Sequence, residues 1–250
     1  MLIRARNASA WTGPTGNNTF LLTGTVPTLV DAGVGDAGHL DEVAAALGGS
    51  ALASVLITHA HPDHASGVPA IVARWPSARV VQYPGVGDAP IPAGDTELQP
   101  IHTPGHAPDH VCFLDLRTRD LYCGDLVRVG GTIVIPASRG GNLRQYLESL
   151  RRVRALAPHR LLPGHGEIID DPAAVIDEYI RHREEREAQV LDALSAGLST
   201  PEDIIVRIYP GLASGLLAAA AETVLAHLIK LEETGRAAHE AGRWILRADS

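Results

Sequence analysis

Seven consecutive residues, Thr58-His59-Ala60-His61-Pro62-Asp63-His64, constrain this chain more than any other stretch. They follow Val55-Leu56-Ile57, a short, largely β-branched run that reads as a buried strand. In an extended segment, side chains two apart project to the same side, so His59 and His61 can grip one ion. Asp63 and His64 come next, at the turn into a helix, and address a neighbouring position. Three imidazoles and a carboxylate in six residues suit borderline divalent metals, zinc first.

Three further pieces have one form, a polar ligand in a glycine-containing loop after a strand: Thr103-Pro104-Gly105-His106, Cys123-Gly124-Asp125 and Pro163-Gly164-His165-Gly166. Glycine allows the sharp turns and close backbone approach needed where distant loops converge on one ion. Together the four pieces supply five of the 12 histidines and two aspartates. The other seven, His39, His102, His110, His159, His182, His227 and His239, read as ordinary core or surface residues. His110, close behind His106, is the nearest to an exception.

The chain around these pieces alternates strand and helix. Strands are expected at Phe20 to Leu22, Thr28 to Val30, Val55 to Thr58 and Arg79 to Gln82, with helices around Leu40 to Leu47 and Val68 to Trp75. The middle is strand-rich: Leu98 to His102, Val111 to Leu116, Leu121 to Cys123 and Thr132 to Ile135. Asn142 caps a helix with the apolar face Leu143, Tyr146, Leu147, Leu150, Val153 and Leu156. Leu161-Leu162 forms a last short strand. Asp171-Pro172 then opens a long helix, about 173–196. After it, Thr200-Pro201-Glu202-Asp203 resembles a capping box, and Leu217, Ala221, Val224, Leu228 and Leu231 make a helical stripe ended by Gly235. Arg243 to Leu246 returns from a hairpin around Gly242. Helices followed by a hairpin are a winged-helix pattern. Two domains follow, 1–185 and 186–250, with the boundary inside the helix 173–196.

Two cysteines, Cys112 and Cys123, cannot make a disulfide framework and suit a reducing compartment. No apolar run approaches the roughly 20 residues of a membrane span, and the first residues lack the apolar core of a secretory signal. A soluble, cytoplasmic protein without a membrane partner is expected. The net charge of −8 argues against a basic nucleic-acid footprint.

The ligand pieces resemble those of the metallo-β-lactamase superfamily: His59, His61, Asp63, His64, His106, Asp125 and His165 match its motifs in identity and order. The resemblance covers roughly residues 1–185. It implies an α/β fold, the four-layer αβ/βα sandwich, with metals at one edge between two sheets. It also implies that His59, His61 and His106 hold one zinc, that Asp63, His64 and His165 hold a second, and that Asp125 bridges them. Manganese or iron can take such sites. Asp31, in Val30-Asp31-Ala32-Gly33, matches the family's Asp-Thr-Gly turn and is taken as structural or supporting. Tyr209-Pro210-Gly211-Leu212, the run Ala226 to Glu232 and Gly235-Arg236 look like the winged-helix tail of the β-lactamase-like protein 2 group. Tyr146-Leu147-Glu148-Ser149-Leu150 and the Thr103 to His110 segment are also similar to that group. Where relatives have an acidic Gly-Asp stretch, this chain has Arg139-Gly140-Gly141-Asn142.

The expected activity is hydrolysis by a metal-bridging hydroxide, with Asp63 both ligand and orienting acceptor. A small ester, thioester or lactone is the first substrate reading, with Arg128, Arg139 and Asn142 as candidate anchors and Trp11 and Tyr83 near the mouth. Tyr146 falls on a helix stripe and reads as core. The resemblance implies a single-strand endoribonuclease as the alternative, and weak β-lactam hydrolysis is a third. DNA is excluded as a partner by the tail's charge. Residues 196–250 carry five basic side chains (Arg207, Lys230, Arg236, Arg243, Arg247) against seven acidic ones (Glu202, Asp203, Glu222, Glu232, Glu233, Glu240, Asp249). A helix that reads DNA needs the opposite balance.

Overall fold

Short apolar runs separated by turns build ten strands in two sheets. A computed structural model describes residues 1–247. The first sheet runs β1 (Leu2–Arg4), β2 (Asn18–Leu22), β3 (Thr28–Val30), β4 (Ser54–Leu56), β5 (Arg79–Val81), each strand beside its sequence neighbour. β1 to β3 are antiparallel; β3, β4 and β5 are parallel, in register Leu29↔Val55↔Val80. Parallel neighbours need crossovers. Helix α1 (Ala37–Leu47) supplies the first, and α2 (Pro62–Ala65) with α3 (Val68–Arg74) the second. The second sheet orders β6 (Ile91–Ala93), β7 (Thr96–His102), β8 (Val111–Asp115), β9 (Asp120–Gly124) and β10 (Arg160–Pro163), antiparallel except for the parallel pair β9–β10.

The two sheets pack face to face. Phe20, Val30, Leu56 and Val81 from the first meet Leu98, Val111, Phe113, Tyr122 and Leu162 from the second in one buried cluster. The other face of the first sheet (Ile3, Leu21, Leu29, Val55) is covered by Leu40, Val43 and Leu47 of α1 and Ile71 of α3. This two-sided burial explains why β3 and β4 are continuously apolar rather than alternating. Cys112 and Cys123 are free and fully buried, and burial pushes the Cys112 thiol up to about 12, so neither is a reactive thiolate.

Residues cluster into two compact units. One comprises Met1–Thr103, Asp109–Ile133 and Arg152–Val175. The other comprises Pro104–Pro108, Val134–Arg151 and the chain from Ile176. The remaining helices are α4 (Leu143–Leu156), α5 (Pro172–Ser195), α6 (Pro201–Ile208) and α7 (Leu217–Glu233), and the hairpin is β11 (Ala237–Glu240) with β12 (Arg243–Leu246). Val190 and Leu194 of α5, Ile204 of α6, Val224, Leu228 and Leu231 of α7, and Trp244 of β12 form the second unit's core. The hairpin turn places Ala241 and Gly242 both at positive φ, the tight reversal that suits strand twist. This is the expected winged helix. All three expected caps form: Asn142 Oδ1 accepts from Gln145 N, Asp171 Oδ1 from Ala174 N, and Thr200 Oγ1 from Asp203 N.

Two expectations fail. Thr132 to Ile135 is not a strand: Ile133 and Ile135 are buried in alternation, but no strand lies alongside, and Pro136 closes the segment. Its Val134 carbonyl is used by a histidine instead. And the stretch Ser214–Glu233 is long and apolar enough to cross a membrane by length and composition, although no apolar run of that kind was expected. Its apolar stripe supplies the second unit's core, which accounts for the composition.

Candidate metal centre

The parallel pairs β3–β4 and β9–β10 place their C-terminal ends side by side, and each end carries a polar residue. Asp31 follows β3, His59 follows β4, Asp125 follows β9 and His165 follows β10. In sheets of this kind ligands gather beyond the carboxyl ends of strands. Within the first unit, His59 and His61 meet as their spacing requires, with His59 Nε2 3.0 Å from His61 Nδ1. Pro62 starts α2 and turns Asp63 and His64 toward the ends of β9 and β10.

Four atoms there form a closed ring. His64 Nε2 lies 3.4 Å from Asp125 Oδ1 and 3.6 Å from Asp63 Oδ2, and His165 Nε2 lies 3.3 Å from each of the same two oxygens. Four ligand atoms at about 2.0–2.2 Å from a common tetrahedral centre would be spaced by about 3.3–3.6 Å, so the donor set fits a zinc-like ion in both identity and spacing. Gly164 makes the approach possible: a Cβ there would lie 2.6 Å from His64 Cε1.

The charges fit as well. Burial by itself would raise the two carboxyls and lower the two imidazoles. In the protein, the hydrogen bond from His165, the His64 charge and the Asn17 amide hold Asp63 well below the usual carboxylate range. His64 and His165 do the same for Asp125. Against its burial, His64 is driven well above 6.5 by the charges of Asp125 and Asp31, and His165 is raised to about 9 by its hydrogen bonds to Asp125 and Asp63. The imidazoles and the carboxylates of this ring thus favour each other's charged forms. A divalent cation bound there would supply positive charge to the two carboxylates in place of protonated imidazoles.

The surrounding groups decide which ring nitrogen faces the ion. Asp31 Oδ2 accepts from His64 Nδ1 at 2.8 Å, which assigns Nε2 to the ring. Asp31 also accepts from Thr58 N and Thr58 Oγ1. Because the Thr58 hydroxyl has given its one proton to Asp31, it accepts from His59 Nδ1 at 3.1 Å, which makes Nε2 the His59 nitrogen that can face an ion. Asp109 Oδ2 holds the Ala60 N–H between the two histidines. Asp31 is thus a supporting residue, as the sequence suggested.

His106 lies in the second unit, on the loop between β7 and β8. Its Nδ1 donates to the Val134 carbonyl at 2.7 Å, the usual way an imidazole that ligates through Nε2 is fixed.

Two contributors carried no obvious sequence signal. Asn17 Nδ2 donates to Asp63 Oδ2 at 3.0 Å, and its Oδ1 accepts from Asn7. Asn18 Nδ2 donates to the carbonyls of Pro163 and Gly166, gripping the His165 loop from both sides. Paired asparagines directly before an apolar strand are the one available hint. His110 stands outside the grouped ligand candidates among the described residues. Its Nε2 accepts from the Asp125 backbone N–H and its Nδ1 faces Thr103 Oγ1, so both nitrogens are engaged and the ring fixes Asp125.

Among the proposed substrate contacts, Arg128 is half-buried with Nη1 on the Trp11 carbonyl, and Arg139 is exposed. Asn142 caps α4 through Gln145 N and donates to Glu233. Trp11 is exposed, Tyr83 stacks on His102, and Tyr146 is fully buried under the Arg183 guanidinium, a core residue.

Comparison with known proteins gives matches over almost the whole chain. Residues 12–85 and 76–165 match the metallo-β-lactamase superfamily model, and 200–244 match the β-lactamase-associated winged-helix domain. The β-lactamase-like protein 2 homologue of Drosophila melanogaster is 34% identical, over 88% of this chain and 84% of that protein. A metallo-β-lactamase family protein from Thermus thermophilus shares the fold at 21% identity, covering 99% of this chain and 98% of that one, with a TM-score of 0.77. A further relative, solved in a di-iron-bound form, is 28% identical, covers 63% of this chain and 91% of that one, and has a TM-score of 0.51.

Proposed function

Given that the chain belongs to the metallo-β-lactamase superfamily of metal-dependent hydrolases and carries the winged-helix domain associated with it, we propose that it is a dinuclear hydrolase of a small ester, thioester or lactone. The observation that carries this reading is the ring of Asp63, His64, Asp125 and His165. His59, His61 and His106 would hold the first ion, Asp63, His64 and His165 the second, and Asp125 would bridge. When bound, such ions supply Lewis acidity and lower the pKa of water toward neutrality. Zinc is the proposed metal, with iron the competitor suggested by the di-iron relative.

The chain's own groups then divide the work. Asp63 has a side chain 29% exposed, against 0%, 5% and 11% for His64, His165 and Asp125. It is therefore the ligand carboxylate that an attacking water reaches, and it accepts a hydrogen bond that orients that water. Asn17 holds Asp63 in place for this. His64 and His165 keep the opposite side dry. No serine or cysteine nucleophile is required. Arg128 and Arg139 are the anchors proposed for an anionic handle on the substrate.

Single-stranded RNA is the second reading, since the same ligand set suits attack at phosphorus. The helix α7 works against it: Glu222, Glu232 and Glu233 stand against Lys230, and Lys230 is paired with Glu187. Weak β-lactam hydrolysis is the third.

The deciding experiment combines metal analysis with a panel of thioester, lactone, β-lactam and single-stranded RNA. About two equivalents of metal and ester or lactone turnover are expected. Asp125→Ala should lose metal and, by removing several kcal/mol of charge stabilisation, on the order of 10³-fold in kcat/KM. Full activity with under half an equivalent of metal sinks the reading.

A further inference from the structure

The long apolar helix α7 carries two carboxylates that neither its own core nor the metal ligands use. Glu222 Oε2 accepts from Ser138 N at 2.9 Å, and Glu222 Oε1 accepts from the Ser138 hydroxyl. Eleven residues on, Glu233 Oε1 accepts from Asn142 Nδ2 at 2.7 Å and Glu233 Oε2 from Arg144 Nε at 3.0 Å. Eleven residues are close to three full turns, so both acids sit on one face, about 16 Å apart along the axis. All four carboxylate oxygens of this face therefore hold a single segment, 138–144. Three of the four donors are uncharged, so these are charge-assisted hydrogen bonds rather than screened surface ion pairs.

That segment and the residues flanking it, Val134 and Ser149, in turn hold the His106 loop, and all of it belongs to the second unit. Val134 O accepts from His106 Nδ1, Gly105 O accepts from Asn142 N at 2.8 Å, and Pro104 O accepts from Ser149 Oγ. Gly105 packs so closely on α4 that a Cβ would lie 2.3 Å from Tyr146 Cα. The chain of contacts runs from α7 through 134–144 to the imidazole.

We propose that Glu222 and Glu233 are positioning residues, through which the winged-helix domain sets the orientation of His106. The domain then serves as a brace for a metal ligand rather than as a reader of nucleic acid. Its acidity is part of that role, because two of its acids are needed by the segment they hold. The inference rests on the reading of His106 as a ligand.

The test uses the full chain, with zinc alone titrated against a chromophoric chelator and amide hydrogen exchange followed over 134–144. Glu222→Ala/Glu233→Ala should weaken one of the two zinc equivalents about 10–100-fold, the range for losing a ligand's support. The other equivalent should stay within about twofold, exchange at Ser138 and Asn142 should rise, and kcat should fall more than KM rises. Glu222→Gln/Glu233→Gln keeps one acceptor oxygen per side chain and should recover part of the loss. The control Glu202→Ala/Glu240→Ala should leave all four readouts unchanged. Unchanged zinc affinity at both sites in the folded alanine double variant overturns the proposal. If that variant does not fold, unchanged zinc affinity and exchange in the glutamine pair overturn it instead. A gain in single-stranded RNA affinity without any change in zinc binding would assign the two acids to repelling nucleic acid and also overturns it. Wild-type protein that takes up one equivalent sinks the dinuclear reading, while the exchange measurement still decides whether α7 holds the segment.

Discussion

Three imidazoles of this chain each have one nitrogen tied to a specific neighbour: His59 to Thr58, His64 to Asp31 and His106 to Val134. The tie determines what the other nitrogen can do. Asp31 is the most consequential neighbour, since one buried carboxylate takes hydrogen bonds from His64, Thr58 N and Thr58 Oγ1 together. Asp31→Ala should therefore lower metal affinity about 10–100-fold. It should also destabilise the metal-free protein by at least about 1–3 kcal/mol, the cost of a buried donor without its acceptor. Chelator competition and urea unfolding check both, and wild-type zinc affinity in this variant would remove Asp31 from the centre. The clustering of the candidate ligands was legible at this scale because the chemistry is local: a His-Ala-His pair on extended backbone puts two imidazoles on one side. Asn17 and His110 were not legible as supports. Their partners, Asp63 and the Asp125 amide, lie 46 and 15 residues away, and nothing in either residue's own neighbourhood encodes that distance.

Among the elements, α7 shows how composition misleads when packing is unknown. By length and composition the stretch Ser214–Glu233 passes for a membrane span, and the partners of its apolar stripe on α5, α6 and β12 place that stripe in the second unit's core. Burial extends to His227, whose ring nitrogens have no hydrogen-bond partner among the described residues. Burial pushes this imidazole well below 6.5, and the facing cations Arg183, Lys230 and Arg186, with His182, push the same way. The unfolded chain therefore binds a proton here that the folded chain refuses. Stability from this group is present above about pH 6.5 and is lost as pH falls below it, by up to about 1.4 kcal/mol per pH unit. His64 and His165 are raised and act with the opposite sign, so the comparison must be made against a variant. The stability of wild type relative to His227→Leu should fall from pH 7.5 to pH 5 in urea unfolding; a constant difference would exclude His227 as the cause. Strand placement was largely legible from apolar runs. β1 and β6 form where no strand was expected, and Thr132 to Ile135 has the right alternation yet pairs with no strand among the described residues, a property no single segment contains.

The molecule as a whole carries a charge of −8. Any binding of RNA must run through local cationic contacts against that charge and should fall with salt as those contacts are screened, whereas turnover of a small neutral ester should change little. Measuring kcat/KM for both substrate classes between about 50 and 200 mM salt separates the two readings. RNA cleavage with a steep slope and no esterase activity would overturn the small-molecule proposal. Continuous domains, 1–185 and 186–250, are what a linear reading delivers. The compact units are discontinuous instead, because 104–108 and 134–151 cluster with the C-terminal helices. The bonds responsible join residues 84 and 91 positions apart, Ser138 with Glu222 and Asn142 with Glu233.

Residue chemistry and short-range pattern along the chain were enough for the candidate ligands, their places in loops after strands, the superfamily and the winged helix. These depend on residue chemistry and short-range periodicity, which are properties of neighbours in the chain. The folded chain alone sets which nitrogen of His59, His64 and His106 can face an ion, gives the two His110 nitrogens to Asp125 N and Thr103, and brings the acids of α7 to Ser138, Asn142 and Arg144. Each of these is set by a hydrogen bond whose geometry the folded backbone supplies, and a donor's partner is fixed by where that backbone brings an acceptor.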